Sequence, residues 1–246
     1  MFRILVPIKR VPDPAVKLHL HHGQLALEGV RMVLNPYDEV ALEEAVRWKE
    51  AGLCDEVIAL TVAPVAADET LRQAIALGAN RAIRIEAGQT ETPLSVAQAI
   101  ATCAQEIGVQ LIICGLQSSD EESGQVGPML AALLDWPFAA AANSLHRNNQ
   151  SLQARCCHPD GIDQVEMPFP AVVTADLQLN TPRYARLPAI VAAKRQSILV
   201  LPSRTSLTPC ETLTQLDHPA RRPPIRMIEN ANDLAELIVQ QLEGQA

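Results

Sequence analysis

Aromatic side chains make up only 3% of this 246-residue chain: three Phe, two Tyr and two Trp. An all-β sandwich fills its core with large rings from two facing sheets, so this supply favours α/β packing through Ala and branched aliphatic residues. Excess positive charge is missing too. With a formal charge of −8 and a pI near 5.3, the chain has no cationic field to gather phosphate backbones or anionic lipid, which disfavours nucleic acid and membrane surfaces and leaves small molecules or other proteins as partners. No run is long and apolar enough to span a bilayer, so no membrane insertion is expected. The six cysteines (Cys54, Cys103, Cys114, Cys156, Cys157 and Cys210) include no C-x-x-C, and those in apolar runs behave as small reduced hydrophobes. Met1 leads straight into the apolar Phe2–Ile8 with no basic leader, signal or transit pattern. A reducing, cytoplasmic setting is expected, or the mitochondrial matrix in a eukaryote. Also missing are G-x-x-x-x-G-K-[ST], G-x-G-x-x-G after the first strand and G-x-S-x-G, so P-loop ATPases, standard NAD enzymes and α/β-hydrolases lose support. No catalytic residue set stands out, and the chain reads as a non-enzyme.

What is present is a chain 48% hydrophobic, enough for one sizeable core plus a tail. Apolar runs at Arg3–Ile8, Glu56–Val62, Arg81–Ile85 and Gln110–Cys114 alternate with helical patterns, as βαβ units do. Helix signals lie between them. Asn35-Pro36-Tyr37-Asp38 offers an N-cap, a first-turn Pro and an acid, with Gly52 at the far end. Thr92-Pro93 opens another helix that Gly108 ends, and Asp68 is placed to cap a third, closed by Gly78. Lys17–Leu27 alternates around His22-Gly23 and predicts a small hairpin. Asn143–Phe169, divided at Asn148-Asn149 and Asp160-Gly161, predicts a β-meander before Ala171–Thr174 returns to the sheet. From about Leu199 the prolines Pro202, Pro209, Pro219, Pro223 and Pro224 predict an extended arm up to an amphipathic helix over Asn232–Leu242. The expected organisation is one nucleotide-binding-type domain over 1–198 and a C-terminal arm and helix over 199–246.

A parallel α/β sheet places ligands at the carboxyl ends of its strands, beside free N–H groups at helix N-termini. Three loops converge there: Pro7–Pro14, Ala63–Asp68 and Gly115–Gly127. The last holds three glycines and Ser118, Ser119 and Ser123, so backbone amides and hydroxyls can approach a phosphate, although a solvated turn before a helix is an equally valid reading. The acids Asp120, Glu121 and Glu122 oppose a phosphate unless they turn outward or hold ribose and adenine edges. His19-Leu20-His21-His22 and Cys156-Cys157-His158 lack ligand spacing and predict no metal site.

Several segments, in order along nearly the whole chain, resemble the β (small) subunit of electron transfer flavoproteins. They are Val6–Val11, Asn35–Ala45, Glu69–Ala74, Gly78–Ala82 and, most specifically, the long Pro170–Pro188 stretch. The resemblance implies a Rossmann-like sheet with helices on both faces. It implies an α-subunit partner carrying most of the FAD site, and a structural AMP in this subunit. By position, the nucleotide contacts fall on Pro7, Asn35, Pro36, Tyr37, Asp38, Val62, Asp120, Ser123, Gly124, Gln125, Val126, Gly127, Pro128, Met129 and Ala131. Tyr37 corresponds to an aromatic that approaches the flavin, while the second such aromatic falls at Pro14. An acid that helps position the flavin domain is replaced near Cys157, and a lysine-rich cluster is thinned to Lys194-Arg195. The donor implied is an acyl-CoA-type dehydrogenase and the acceptor an electron transfer flavoprotein quinone oxidoreductase. Donor docking falls on Arg183, Tyr184, Leu187, Pro188 and Ile190, with Leu187 as the anchor; the alternative for Leu187 is a core position at the start of a helix running towards Gln196. Gln125-Val126-Gly127-Pro128 also resembles flavin-bifurcating relatives, in which the same pocket holds a second FAD. A stand-alone adenine-nucleotide-binding protein of similar fold is the remaining alternative.

Overall fold

The computed structural model describes residues 1–203 apart from 22, 89, 90 and 149, and beyond them 216, 217, 220, 225, 227, 228 and 230–243. Cys210 and the arm prolines Pro209, Pro219, Pro223 and Pro224 lie outside the described residues. In chain order the elements are β1 (Arg3–Pro7), β2 (Arg10–Pro12), β3 (Leu20–His21), β4 (Gln24–Leu25), β5 (Met32–Leu34), α1 (Pro36–Glu50), β6 (Glu56–Ala63), α2 (Asp68–Leu77) and β7 (Arg81–Glu86). They continue as α3 (Pro93–Ile107), β8 (Leu111–Gly115), α4 (Val126–Leu134), β9 (Phe138–Arg147), β10 (Ser151–His158), β11 (Gly161–Pro168), β12 (Ala171–Ala175), α5 (Leu187–Ala193), β13 (Leu199–Leu201) and α6 (Ala231–Glu243).

Nine strands form one sheet in the order β11-β10-β9-β12-β8-β1-β6-β7-β13. From β9 to β13 every neighbouring pair is parallel, and β10 and β11 complete an antiparallel meander at one edge. The α/β expectation and the meander both hold. Side chains of a strand alternate between faces, so a strand covered on both sides must be apolar at successive positions. Ile4, Val57, Ile113 and Val173 accordingly join one buried cluster with α1 and α2, through Leu42, Val46 and Leu71. Leu5, Ile58, Ile112 and Val172 join the other with α3 and α4, through Ile100, Leu130 and Leu134. Each fully buried aliphatic side chain contributes roughly 1.5–3 kcal/mol, and these two layers carry the fold.

Helix ends follow the predicted signals with two corrections, at Asp68 and at Asn35, whose side chain makes no cap bond. The Thr92 hydroxyl accepts from Ser95 N at 3.2 Å, and Gly108 takes φ 69° at the end of α3. Asp68 does not cap α2 but is its first residue, because a single 3-10 turn over Val65–Ala67 already leads in from Pro64. The Asp68 carboxylate instead accepts from buried Arg84 Nε at 2.8 Å. Two short features escape a periodicity reading. The β2–β5 ribbon closes the 10–34 excursion, and β13 adds Leu199–Leu201 to the sheet edge beside β7.

Candidate functional site

The chain runs from β1 outward to β6 and β7, then returns across β1 to β8 and β12. The winding direction therefore reverses between β1 and β8, and in open α/β sheets the crevice at the carboxyl ends of two such strands is where ligands bind. Here α1 begins on one side and the 116–125 loop, which leads into α4, lies on the other. The loop is two residues shorter at its end than the sequence suggests, since α4 starts at Val126 rather than Pro128, and Gly115 still belongs to β8.

Asn35 joins the two walls. It occupies the N-cap position of α1 but makes no side-chain cap bond. Its Nδ2 donates to Gln117 O at 2.9 Å, and its Oδ1 accepts from Ser119 N at 3.1 Å. Lys9 adds a second tie: its Nζ lies 2.9 Å from Asp120 Oδ1, 3.1 Å from Glu121 Oε1 and 3.3 Å from Ser118 Oγ. Two of the loop acids thus pair with an ammonium at the surface. Asp38 sits beneath, with its Oδ2 accepting from Lys9 N at 2.8 Å and a further bond from the Gly115 N–H. Burial pushes its carboxyl up to about 7, and the hydrogen bonds from Lys9, Asn35 and Gly115 oppose that rise. Gly115 is required by proximity: a Cβ there would lie 2.3 Å from Asp38 Oδ1 and 2.7 Å from Tyr37 Cβ. Gly124 takes φ +61°, and a Cβ on Gly127 would lie 2.4 Å from Thr174 Cγ2, so α4 starts hard against β12.

The other predicted contact residues divide by position. Pro7 ends β1 and pairs with Leu60, two residues before Val62. Pro36 opens α1, and Tyr37 is half-buried beside Gly115. Asp120, Ser123, Gln125 and Pro128 are exposed, whereas Gly127 and Ala131 are buried. Val62, Val126 and Met129 pack against the α3/α4 core layer, which Ala131 joins outright. Ser119 Oγ is buried in the loop without a hydrogen-bond partner. Burying an unpaired hydroxyl costs about 1–3 kcal/mol. Among the described residues, no three His, Cys, Asp or Glu side chains are grouped to hold a metal ion. Cys156 is buried in the α1/α2 core layer, while Cys157 Sγ accepts from Asn143 Nδ2 at 2.6 Å.

The second candidate surface lies on the α1 side. Leu187 is the first residue of α5 and 73% exposed, so the alternative of a core leucine does not hold, although it does begin a helix. Tyr184 is 97% exposed, and Ile190 and Val191 are exposed on the same short helix as Leu187. Pro188 is exposed as well. Arg183 behaves differently from its neighbours. Its guanidinium turns back onto α1, with Nε 2.8 Å from Glu43 Oε2 and Nη1 2.6 Å from Glu50 Oε1.

A family model described as the electron transfer flavoprotein domain matches residues 23–204. An electron transfer flavoprotein subunit beta from Bradyrhizobium diazoefficiens is 42% identical over 198 residues, 80% of each chain. The human protein of that name is 37% identical over 241 residues, 94% of each chain. This chain belongs to the electron transfer flavoprotein β-subunit family. A relative from Oryza sativa subsp. indica, 40% identical over 202 residues and 80% of each chain, has mitochondrial in its name.

Within that family assignment, sequence reasoning missed two groups. Lys9 was visible only as part of the Val6–Val11 segment, and a single lysine two residues after a strand carries no signal that it meets acids 111 and 112 positions later. The carboxylates Glu43 and Glu50 are the second group. Their spacing of seven residues places them on one side of α1, which was the only sequence sign that one cation could serve both.

Proposed function

We propose that this electron transfer flavoprotein β subunit holds a structural AMP in the β1/β8 crevice and docks the electron donor, while an α subunit carries most of the FAD site. The observation that supports this best is the crevice itself. Asn35, Lys9 and Asp38 bind its two walls together, from the start of α1 to the 116–125 loop and the end of β8. Asn35–Asp38, Asp120 and Ser123–Gly127 are the residues to hold the nucleotide, with Pro7 and Val62 contributing backbone. Bound mainly by the α subunit, FAD supplies the electron-carrying chemistry. This chain orients and docks, and Tyr37 is the aromatic it offers towards the flavin.

The α subunit would also meet the C-terminal helix. Leu234, Ile238 and Leu242 fall four residues apart on α6 and all are exposed. The donor is an acyl-CoA-type dehydrogenase and the acceptor a quinone oxidoreductase specific for this flavoprotein. No helix among the described residues is long and apolar enough to cross a membrane. The compartment proposed is the cytoplasm, or the mitochondrial matrix in a eukaryote.

Docking rests on Leu187, an exposed leucine beside the exposed Tyr184 and Ile190. Leu187→Ala in the heterodimer is expected to leave FAD and AMP content and melting temperature nearly unchanged. Electron transfer from the dehydrogenase should weaken by the loss of one anchoring leucine, roughly 1–3 kcal/mol in kcat/KM. Wild-type transfer in the variant would rule out the docking role.

A further inference from the structure

Residues 176–186, between β12 and α5, form neither helix nor strand, yet they are fastened to α1 along their length. Asn180 Nδ2 donates to Val40 O at 3.0 Å and to Glu44 Oε2 at 3.1 Å, and Trp48 Nε1 fixes the other oxygen of Glu44 at 2.9 Å. Arg47 Nη2 donates to Thr181 O at 3.2 Å. Arg183 makes the densest attachment. Its Nε and Nη2 donate to the two oxygens of Glu43 at 2.8 and 3.1 Å, and its Nη1 and Nη2 donate to the two oxygens of Glu50 at 2.6 and 2.8 Å. The Arg183 backbone N–H also reaches Glu43 Oε2 at 3.3 Å. One guanidinium therefore grips two carboxylates, one buried and one exposed, while the next residue, Tyr184, points fully into solvent.

We propose that Arg183 is a positioning residue rather than a contact residue: its fork on Glu43 and Glu50 holds the 176–186 segment against α1 and so keeps Leu187 preformed for the donor. This inference rests on the docking role of Leu187 given above. A loop that is already ordered spares the complex the entropy of ordering it, and that saving is read in affinity rather than in the chemical step. The fork is specific to arginine. A lysine ammonium has no planar pair of edges and cannot serve two carboxylates bidentately. Glu50 is exposed and the buried Glu43 keeps its bond from Arg47 Nε at 2.8 Å when Arg183 is removed, so the effect should be local.

The test uses the heterodimer with an acyl-CoA dehydrogenase from the same organism as donor, varying heterodimer concentration. Arg183→Ala is expected to raise KM for the heterodimer about tenfold with kcat nearly unchanged, as the ordering cost moves into the encounter. Arg183→Lys should not rescue it. Glu50→Gln, which leaves the buried Glu43 in place, should give a smaller rise and guards against misfolding of the Arg183 variants. Amide exchange over 176–186 should accelerate in Arg183→Ala while exchange in the sheet stays as in wild type. Combining Arg183→Ala with Leu187→Ala should raise KM by less than the product of the single effects, since a displaced anchor cannot be lost twice. If Leu187→Ala raises KM but the Arg183 and Glu50 variants do not, the positioning role is overturned and docking stands. If none of them raises KM, the docking role falls and this inference with it.

Discussion

Gly115→Ala is expected to lower the melting temperature by roughly 10 °C and to strip the proposed adenine nucleotide from the heterodimer. The added methyl would sit 2.3 Å from Asp38 Oδ1, 2.7 Å from Tyr37 Cβ and 2.9 Å from the Tyr37 carbonyl carbon. Two of these neighbours belong to a buried carboxylate and to helix backbone, so no flexible side chain can swing away. The first turn of α1 must retreat from β8. That retreat strains the Lys9–Asp38 bond and both Asn35 bonds to the 116–125 loop together. Overpacking of this kind costs about 1–3 kcal/mol, and each hydrogen bond lost adds about 1 kcal/mol. A total of roughly 4–6 kcal/mol corresponds to roughly 10 °C or more at this chain length. Gly29→Ala is the control: its φ of +73° is uncomfortable for alanine, but nothing lies within 4 Å of the new methyl. Thermal unfolding together with nucleotide analysis separates the two variants. A Gly115→Ala protein that melts with wild type and retains its nucleotide would show that the crevice is not held by this close approach.

Asp38→Asn is expected to change how stability depends on pH. The folded carboxyl is pushed up to about 7 from 3.8, chiefly by burial, against the hydrogen bonds from Lys9, Asn35 and Gly115. Between these values the native state holds a proton that the unfolded chain has released. Stability from this group is therefore greatest at low pH, falls as pH rises from about 4 to about 7, and is level above that. At roughly 1.4 kcal/mol per pH unit, the whole window is worth on the order of 4 kcal/mol. Burial also raises the Glu39 carboxyl, so the wild-type curve contains both groups. The difference between wild type and Asp38→Asn isolates Asp38: the variant should lose that downward slope. Its absolute stability is a poorer guide, since an amide NH2 must face one of the two N–H groups that the carboxylate now accepts from. Denaturant unfolding at intervals from pH 4 to pH 8 measures the slope. Parallel curves for the two proteins would mean that Asp38 does not hold a proton near neutrality.

The sheet was legible because strands covered on both faces leave a simple trace. Arg3–Pro7, Glu56–Ala63 and Leu111–Gly115 are short apolar runs between helices that Pro and Gly punctuate, and the expected boundaries differ by only a residue or so. Three-residue strands leave none: β13 and the β2–β5 pair are set by their neighbours, and no periodicity develops over so short a length. Polar residues at helix starts were the least readable. Asn35 and Asp68 both have the chemistry of a cap, but tertiary partners take their side chains, the 117–119 backbone in one case and Arg84 in the other. Arg183 shows the same limit at the docking surface. Placed between Pro182 and Tyr184 it looks like the basic rim of an anchor, yet its partners stand 140 and 133 positions earlier on α1. Ser119, Asn35 and the glycine loop could be marked as candidates from residue type alone. That they share one crevice follows from the winding of the sheet.

The nucleotide content of the purified heterodimer tests the central claim most directly. Co-expression with the α subunit, denaturation and chromatography of the released ligands should give one FAD and one AMP per heterodimer. Two FAD and no AMP would contradict a structural AMP in the β1/β8 crevice and move the chain to the flavin-bifurcating branch of its family.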